Sequence, residues 1–83
     1  MGITMHIDIV SAEESIHSGA ATFIVARSVG GEVVIYPRHV PMQVQLKPGD
    51  VTVRDEFGEV QFYYVSGGTM EVQPDGVTVC AAA

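Results

Sequence analysis

The chain has one cysteine, Cys80, among its 83 residues, and a single thiol excludes any internal disulfide. It also argues against structural zinc, which is held by several Cys or His at characteristic spacings. Cations are scarce as well. Arg27, Arg38, Lys47 and Arg54 are the only four Lys or Arg, against ten Asp and Glu, and the formal net charge is −6. Nucleic-acid binding rests on cations that neutralise phosphates and release counterions, and four scattered ones form no such patch. Adsorption to an anionic membrane surface is disfavoured for the same reason. No apolar run reaches the ~20 residues of a spanning helix. The N-terminal MGITMHIDIV lacks the charged start and apolar stretch of a secretory signal. Together these absences fit a reducing, cytoplasmic setting.

What is present is a foldable core. At 47% hydrophobic residues the chain is too apolar for a disordered segment, and its length allows one domain, spanning residues 1–83. The dominant pattern has period two, the mark of half-buried strands. Met5, Ile7 and Ile9 alternate with His6, Asp8 and Val10; Val51 and Val53 with Thr52 and Arg54; Val60, Phe62 and Tyr64 with Gln61 and Tyr63. Met70 and Val72 flank Glu71, and Val77 and Val79 flank Thr78. Turn signals separate these runs at Gly30-Gly31, Pro37 with Pro41, 47–50, 56–59, 66–68 and 74–76. Many short strands at such spacing predict a sandwich or barrel. Only 11–18 reads as partly helical, from the capping-box spacing of Ser11 and Glu14, and it is too short to be more than a turn.

A search for chemistry returns little. His6, His17 and His39 are far apart or on an alternating strand, and none belongs to a paired-ligand motif. Ser66 precedes Gly67-Gly68 without a nucleophile elbow or an evident base. The carboxylate pairs Glu13-Glu14 and Asp55-Glu56 fall in predicted turns, where solvated acids are ordinary. No glycine pattern cradles a phosphate. The residues therefore predict a non-catalytic binding module, with no cofactor and no metal. One segment stands out: Tyr36-Pro37-Arg38-His39-Val40-Pro41, in which two prolines bracket an Arg-His pair. Prolines pre-organise a loop, which lowers the entropy cost of docking, and Tyr and Arg are enriched among interface hot spots.

At this loop the sequence resembles the N-terminal β-sandwich domain of the epsilon subunit of F-type ATP synthases (the delta subunit in mitochondria). Four blocks carry the likeness: 8–13 followed by Ser18-Gly19; Ile35-Tyr36-Pro37 with His39 and Pro41; Leu46-Lys47-Pro48-Gly49; and 66–68 leading to 71–74 and 77–79. They run in the family's order and spacing over essentially the whole chain. The resemblance implies an all-β fold, a flattened β-sandwich of about ten strands in two five-stranded sheets. It further implies a place in the central stalk, bound to the gamma subunit and the c-ring. There the domain would help couple proton translocation and rotation to ATP synthesis or hydrolysis, at the cytoplasmic face of the bacterial inner membrane. The alternative is a small β-barrel ligand-binding or adaptor module unrelated to the synthase.

Carried over by position, the resemblance assigns His39, with Arg38, Tyr36, Pro37 and Pro41, to the gamma contact. It assigns Glu32, after Gly31, to the polar loops of the c-ring. Two departures stand out, because the family usually has Gly where Arg38 and Val34 stand. A bulky Arg in place of Gly either adds a charged contact or alters the loop's backbone. Many family members continue into a regulatory two-helix domain. No helical period follows Val79, so this polypeptide is expected to lack helix-mediated inhibition, whether as a short form or a shortened chain.

Overall fold

Nine strands make up the computed structural model, which describes residues 3–82. They are β1 (Met5–Val10), β2 (Ser15–Ala21), β3 (Phe23–Ser28), β4 (Gly31–Ile35), β5 (Met42–Leu46), β6 (Gly49–Arg54), β7 (Val60–Val65), β8 (Gly68–Gln73) and β9 (Gly76–Ala81). Hydrogen bonds link them in the order β2-β1-β9-β8-β5-β3-β6-β7, with β4 on the free side of β3. The β5–β3 link is one residue pair, Ser28 with Leu46. The sheet turns over at this hinge, leaving five strands on one side (β2, β1, β9, β8, β5) and four on the other (β4, β3, β6, β7). Every pairing is antiparallel except β1 with β9, which is parallel.

Alternation along each strand decides what lies between the two sides. From the five-stranded side come Met5, Ile7, Ile9, Val44, Leu46, Met70, Val72, Val77 and Val79; from the other come Ile24, Ala26, Ile35, Val51, Val53 and Val65. All are buried, and they form one apolar cluster with Ala21. Truncating a fully buried member such as Ile7 or Ile24 to Ala leaves a cavity and costs about 2–5 kcal/mol.

The segments between strands close as turns for local reasons. Among the described residues Ser28 is the one buried polar residue: its Oγ donates to the Gly31 carbonyl at 2.6 Å and accepts the Gly30 N–H at 3.1 Å, which shapes the β3–β4 turn. Asp55 Oδ1 accepts the N–H groups of Phe57 and Glu59, both at 2.9 Å, and folds the β6–β7 hairpin tip. Gly68 sits at φ 126°, and a Cβ there would lie 2.1 Å from the Cys80 carbonyl oxygen. No side chain fits that approach of β8 to β9.

The all-β expectation holds, and three details differ. There are nine strands among the described residues, against about ten expected, and they divide five and four. The stretch 36–41, with two prolines lacking a ladder donor, forms a turn and not a further strand. The second concerns 11–18. The capping contacts exist, with Ser11 Oγ accepting from Glu13 and Glu14 N–H at 3.4 and 3.3 Å, but they belong to a turn of four residues. From Ser15 the chain is strand, because β1 offers a ladder running from Met5–Ala21 to Val10–Ser15. Tertiary pairing overrides the weak local signal. Third, period two in β7 marks a strand but not its inner face. Val60, Phe62 and Tyr64 point to solvent, while Tyr63 and Val65 join the core.

Candidate partner-binding surfaces

The loop after β4 begins with Tyr36, 60% exposed, whose ring rests against Phe23 with centroids 6.1 Å apart. Pro37 is half-buried and turns the chain. Arg38 follows at φ 64°, the only described non-glycine residue in the left-handed region. The loop therefore keeps a glycine-type backbone with an arginine on it, which answers the question raised by that departure: the cost is strain, about 1–2 kcal/mol for an L-residue there. His39 is half-buried. Its Nδ1 lies 2.8 Å from the Val40 carbonyl, and since a carbonyl only accepts, Nδ1 carries the proton in that bond. Nε2 is the nitrogen left over for a partner. Val40 and Pro41 are exposed and lead into β5.

Gly31 and Glu32 open the same strand that Tyr36 follows. Gly31 has φ 126° with nothing within 4 Å of an added Cβ, so its requirement is conformational and not steric. Glu32 is exposed, directly across from Arg27 on β3. Three residues of strand, Val33, Val34 and Ile35, lie between Glu32 and Tyr36, a span of roughly 13 Å at the usual rise. The two segments singled out from the sequence lie at opposite ends of β4. Around Glu32 lie the β5–β6 and β7–β8 turns, and around Tyr36–Pro41 lie the β6–β7 tip and the β8–β9 turn, as the ladder registers require.

Two polar clusters were not foreseen. On the outer face of the five-stranded side, His6 Nε2 lies 3.1 Å from Asp8 Oδ2 and 3.4 Å from Ser18 Oγ. The Ser18 hydroxyl, and then His6, hold the Asp8 carboxyl below its ordinary range. The composition is that of a catalytic triad but the geometry is not. A triad puts the carboxylate on one ring nitrogen and the hydroxyl on the other, whereas here both crowd Nε2. The second cluster joins β2 to β7. His17 Nδ1 and the Tyr63 hydroxyl are 2.8 Å apart, their rings 4.8 Å centre to centre, and His17 Nε2 is buried without a partner. Their separation of 46 positions left no local signal.

Sequence reasoning also missed an apolar face. Registers across β4, β3, β6 and β7 put Val34, Val25, Thr52 and Phe62 in one outward row. Phe62 and Tyr64 are about two-thirds exposed (66% and 67%). Among the described residues no pocket opens, and no group of three or more His, Cys, Asp or Glu is placed to hold a metal ion. No described helix is long and apolar enough to cross a membrane.

Comparison with known proteins agrees with this architecture. The epsilon chain of the Alkalilimnicola ehrlichii ATP synthase is 56% identical over 78 residues, covering 94% of this chain and 56% of that one. The epsilon chain from Nitrosospira multiformis is 56% identical over 81 residues, covering 98% and 58%. The chain thus spans little more than half the length of these relatives. Among solved structures, a chain of the Euglena gracilis mitochondrial ATP synthase, from an assembly of OSCP, F1 and c-ring, superposes with a TM-score of 0.88 at 25% identity. That match covers 94% of this chain and 50% of the other. A chain of the Tetrahymena thermophila ATP synthase central stalk and c-ring shares the fold, with a TM-score of 0.79 at 16% identity over 99% and 66%. The profile of the ATP synthase delta/epsilon chain β-sandwich domain matches residues 4–83, and the chain belongs to that family.

Proposed function

We propose that this domain is a non-catalytic coupling element of the ATP synthase central stalk, holding the gamma subunit through the Tyr36–Pro41 loop and the c-ring through Gly31 and Glu32. The observation that supports the reading is the placement of these segments at opposite ends of β4. A stiff sandwich with one contact surface at each end transmits torque between two partners without chemistry of its own. His39 offers Nε2, Arg38 an exposed cationic side chain, and Tyr36 an exposed ring. At the other end, Glu32 offers a carboxylate to the polar loops of the ring. The work is done at the membrane-facing end of a peripheral complex.

Calorimetric titration of this domain with the gamma subunit of a bacterial synthase tests the assignment. One-to-one binding is expected, and the double variant R38A/H39A is expected to weaken it at least tenfold, about 1.4 kcal/mol. Unchanged affinity in that variant would remove the loop from the interface. Glu32→Cys, assembled with a ring carrying a loop cysteine, is expected to form a disulfide. Failure at every loop position tried would remove Glu32 from the c-ring contact.

A further inference from the structure

We propose that Phe57, at the tip of the β6–β7 hairpin, is a further anchor for the partner held by the Tyr36–Pro41 loop, and that it enters an apolar socket bordered by cations on that partner. This anchor rests on the reading of the loop as the gamma contact and adds a second element of the fold to it.

Phe57 is 84% exposed, the most exposed large apolar side chain among the described residues. A single exposed apolar residue is ordinary on a protein surface; the turn that presents it is what sets this one apart. Asp55 Oδ1 accepts the Phe57 and Glu59 N–H groups. The Asp55 N–H donates to the Glu59 carbonyl at 2.8 Å, and the Gly58 N–H donates to the Asp55 carbonyl at 3.1 Å. Gly58, at φ 84°, supplies the left-handed residue that closes the turn. The Thr22 N–H donates to the Arg54 carbonyl at 2.8 Å and ties the base of the tip to the β2–β3 connection. None of these bonds involves the Phe57 side chain. The fold therefore fixes the backbone of the tip and leaves its largest apolar group in water. Docking there costs little further ordering, because only the two torsions of one aromatic side chain remain to be fixed.

The tip is continuous with the Tyr36 loop. The Tyr36 ring lies 6.1 Å from that of Phe23. Phe23 faces Arg54 across β3 and β6, and the Arg54 guanidinium stands 5.8 Å over the Phe23 ring. A terminal nitrogen of Arg54 is also 3.6 Å from the place a Cβ on Gly58 would take, next in the chain to Phe57. Tyr36, Phe23, Arg54 and Phe57 thus follow one another along one surface. Charge sets the character of the socket. Asp55, Glu56 and Glu59 flank Phe57 in the turn, and the neighbouring cation, Arg54, is engaged on Phe23. Carboxylates around the socket would meet like charge, whereas Lys or Arg would meet opposite charge.

Calorimetric titration with the gamma subunit, comparing Phe57→Ser, Phe57→Trp and R38A/H39A, tests this. Phe57→Ser is expected to raise Kd at least about tenfold while thermal unfolding stays near the parent's. Phe57→Trp is expected to keep most of the affinity. The chain has no tryptophan of its own, so fluorotryptophan at that position gives the domain one fluorine resonance, which is expected to lose its H2O/D2O solvent shift on binding. Glu56→Lys with Glu59→Lys is expected to weaken binding, more at low salt than at moderate salt; unchanged or tighter binding overturns the cationic border. Parent-like binding by Phe57→Ser, while R38A/H39A weakens it, overturns the anchor and leaves the loop contact standing. Weakening by Phe57→Ser alone supports the anchor and overturns the loop contact. A folded domain that binds no gamma overturns both.

Discussion

The Tyr63 hydroxyl and His17 Nδ1, 2.8 Å apart, join β7 to β2, the two ends of the strand order. One side-chain hydrogen bond therefore spans the seam where backbone pairing stops. Removing the hydroxyl in Tyr63→Phe strands the imidazole, and unfolding in urea is expected to show a loss of about 0.5–1.5 kcal/mol. His17 Nε2 is already without a partner, so replacing both residues with Phe removes every unmatched polar atom at the seam. The double variant is expected to recover most of the loss. A double variant no better than Tyr63→Phe would mean that the pair contributes only shape.

Arg38 occupies the left-handed region at φ 64°, where glycine is free of Cβ strain. Arg38→Gly is expected to raise stability by up to about 1 kcal/mol, the relief of 1–2 kcal/mol being partly offset by glycine's larger unfolded-state entropy. Arg38→Val, β-branched, is expected to lower it. Thermal denaturation of the two variants checks both signs.

Gly31 and Gly68 share φ 126° but not surroundings. At Gly31 an added Cβ meets nothing within 4 Å, whereas at Gly68 it would sit 2.1 Å from the Cys80 carbonyl oxygen and 3.0 Å from the Ala82 nitrogen. Gly31→Ala is expected to cost about 1–3 kcal/mol of backbone strain and stay folded. Gly68→Ala must in addition push β8 off β9, and is expected to lose more than about 4 kcal/mol or to leave no soluble protein. Comparable costs at both positions would assign the Gly68 requirement to backbone angle alone.

Asp8 has its carboxyl pKa lowered from the ordinary 3.8, first by the Ser18 hydroxyl and then by His6. A lowered folded-state value means the contribution is full above the unfolded carboxylate pKa and is lost as pH falls through the folded one. The stability difference between the parent and Asp8→Asn is therefore expected to be constant near neutrality and to fall away as pH drops below 3.8 and through the lowered folded-state value. The group lies at the surface, so the effect is small. A difference that persists at lower pH would assign it to packing instead of charge.

Period two and turn chemistry carried most of the fold. Met5, Ile7 and Ile9 read as a strand and are one, and the 74–76 turn sits where Pro-Asp-Gly placed it. β2 was illegible because Ser15, His17, Ser18, Gly19 and Ala20 carry no strong strand preference; only the partner β1 makes them a strand. In β7 both faces are apolar or aromatic, so alternation could not say that Tyr63 points inward and Phe62 outward. Tyr36–Pro41 and Glu32 were named from residue type and resemblance. Their placement at the two ends of β4 needed the register, and so did the meeting of His17 with Tyr63.

The parallel pairing of β1 with β9 sets His6 beside Gly76 and Val10 beside Cys80, almost the whole chain apart. A nascent chain emerging at about 5–20 residues per second holds β1 for several seconds before β9 exists to lie against it. Throughout that interval β2 is the only neighbour β1 can have, and the Ile7 and Ile9 row waits without its cover. Contacts this distant in sequence also slow the folding of a finished chain, toward milliseconds to seconds for all-β domains. Completion of the five-stranded side thus waits for β9, the ninth of the described strands. A ribosome that stops within β9 releases a chain with two apolar, unpaired strand edges, the form of this domain most prone to aggregate.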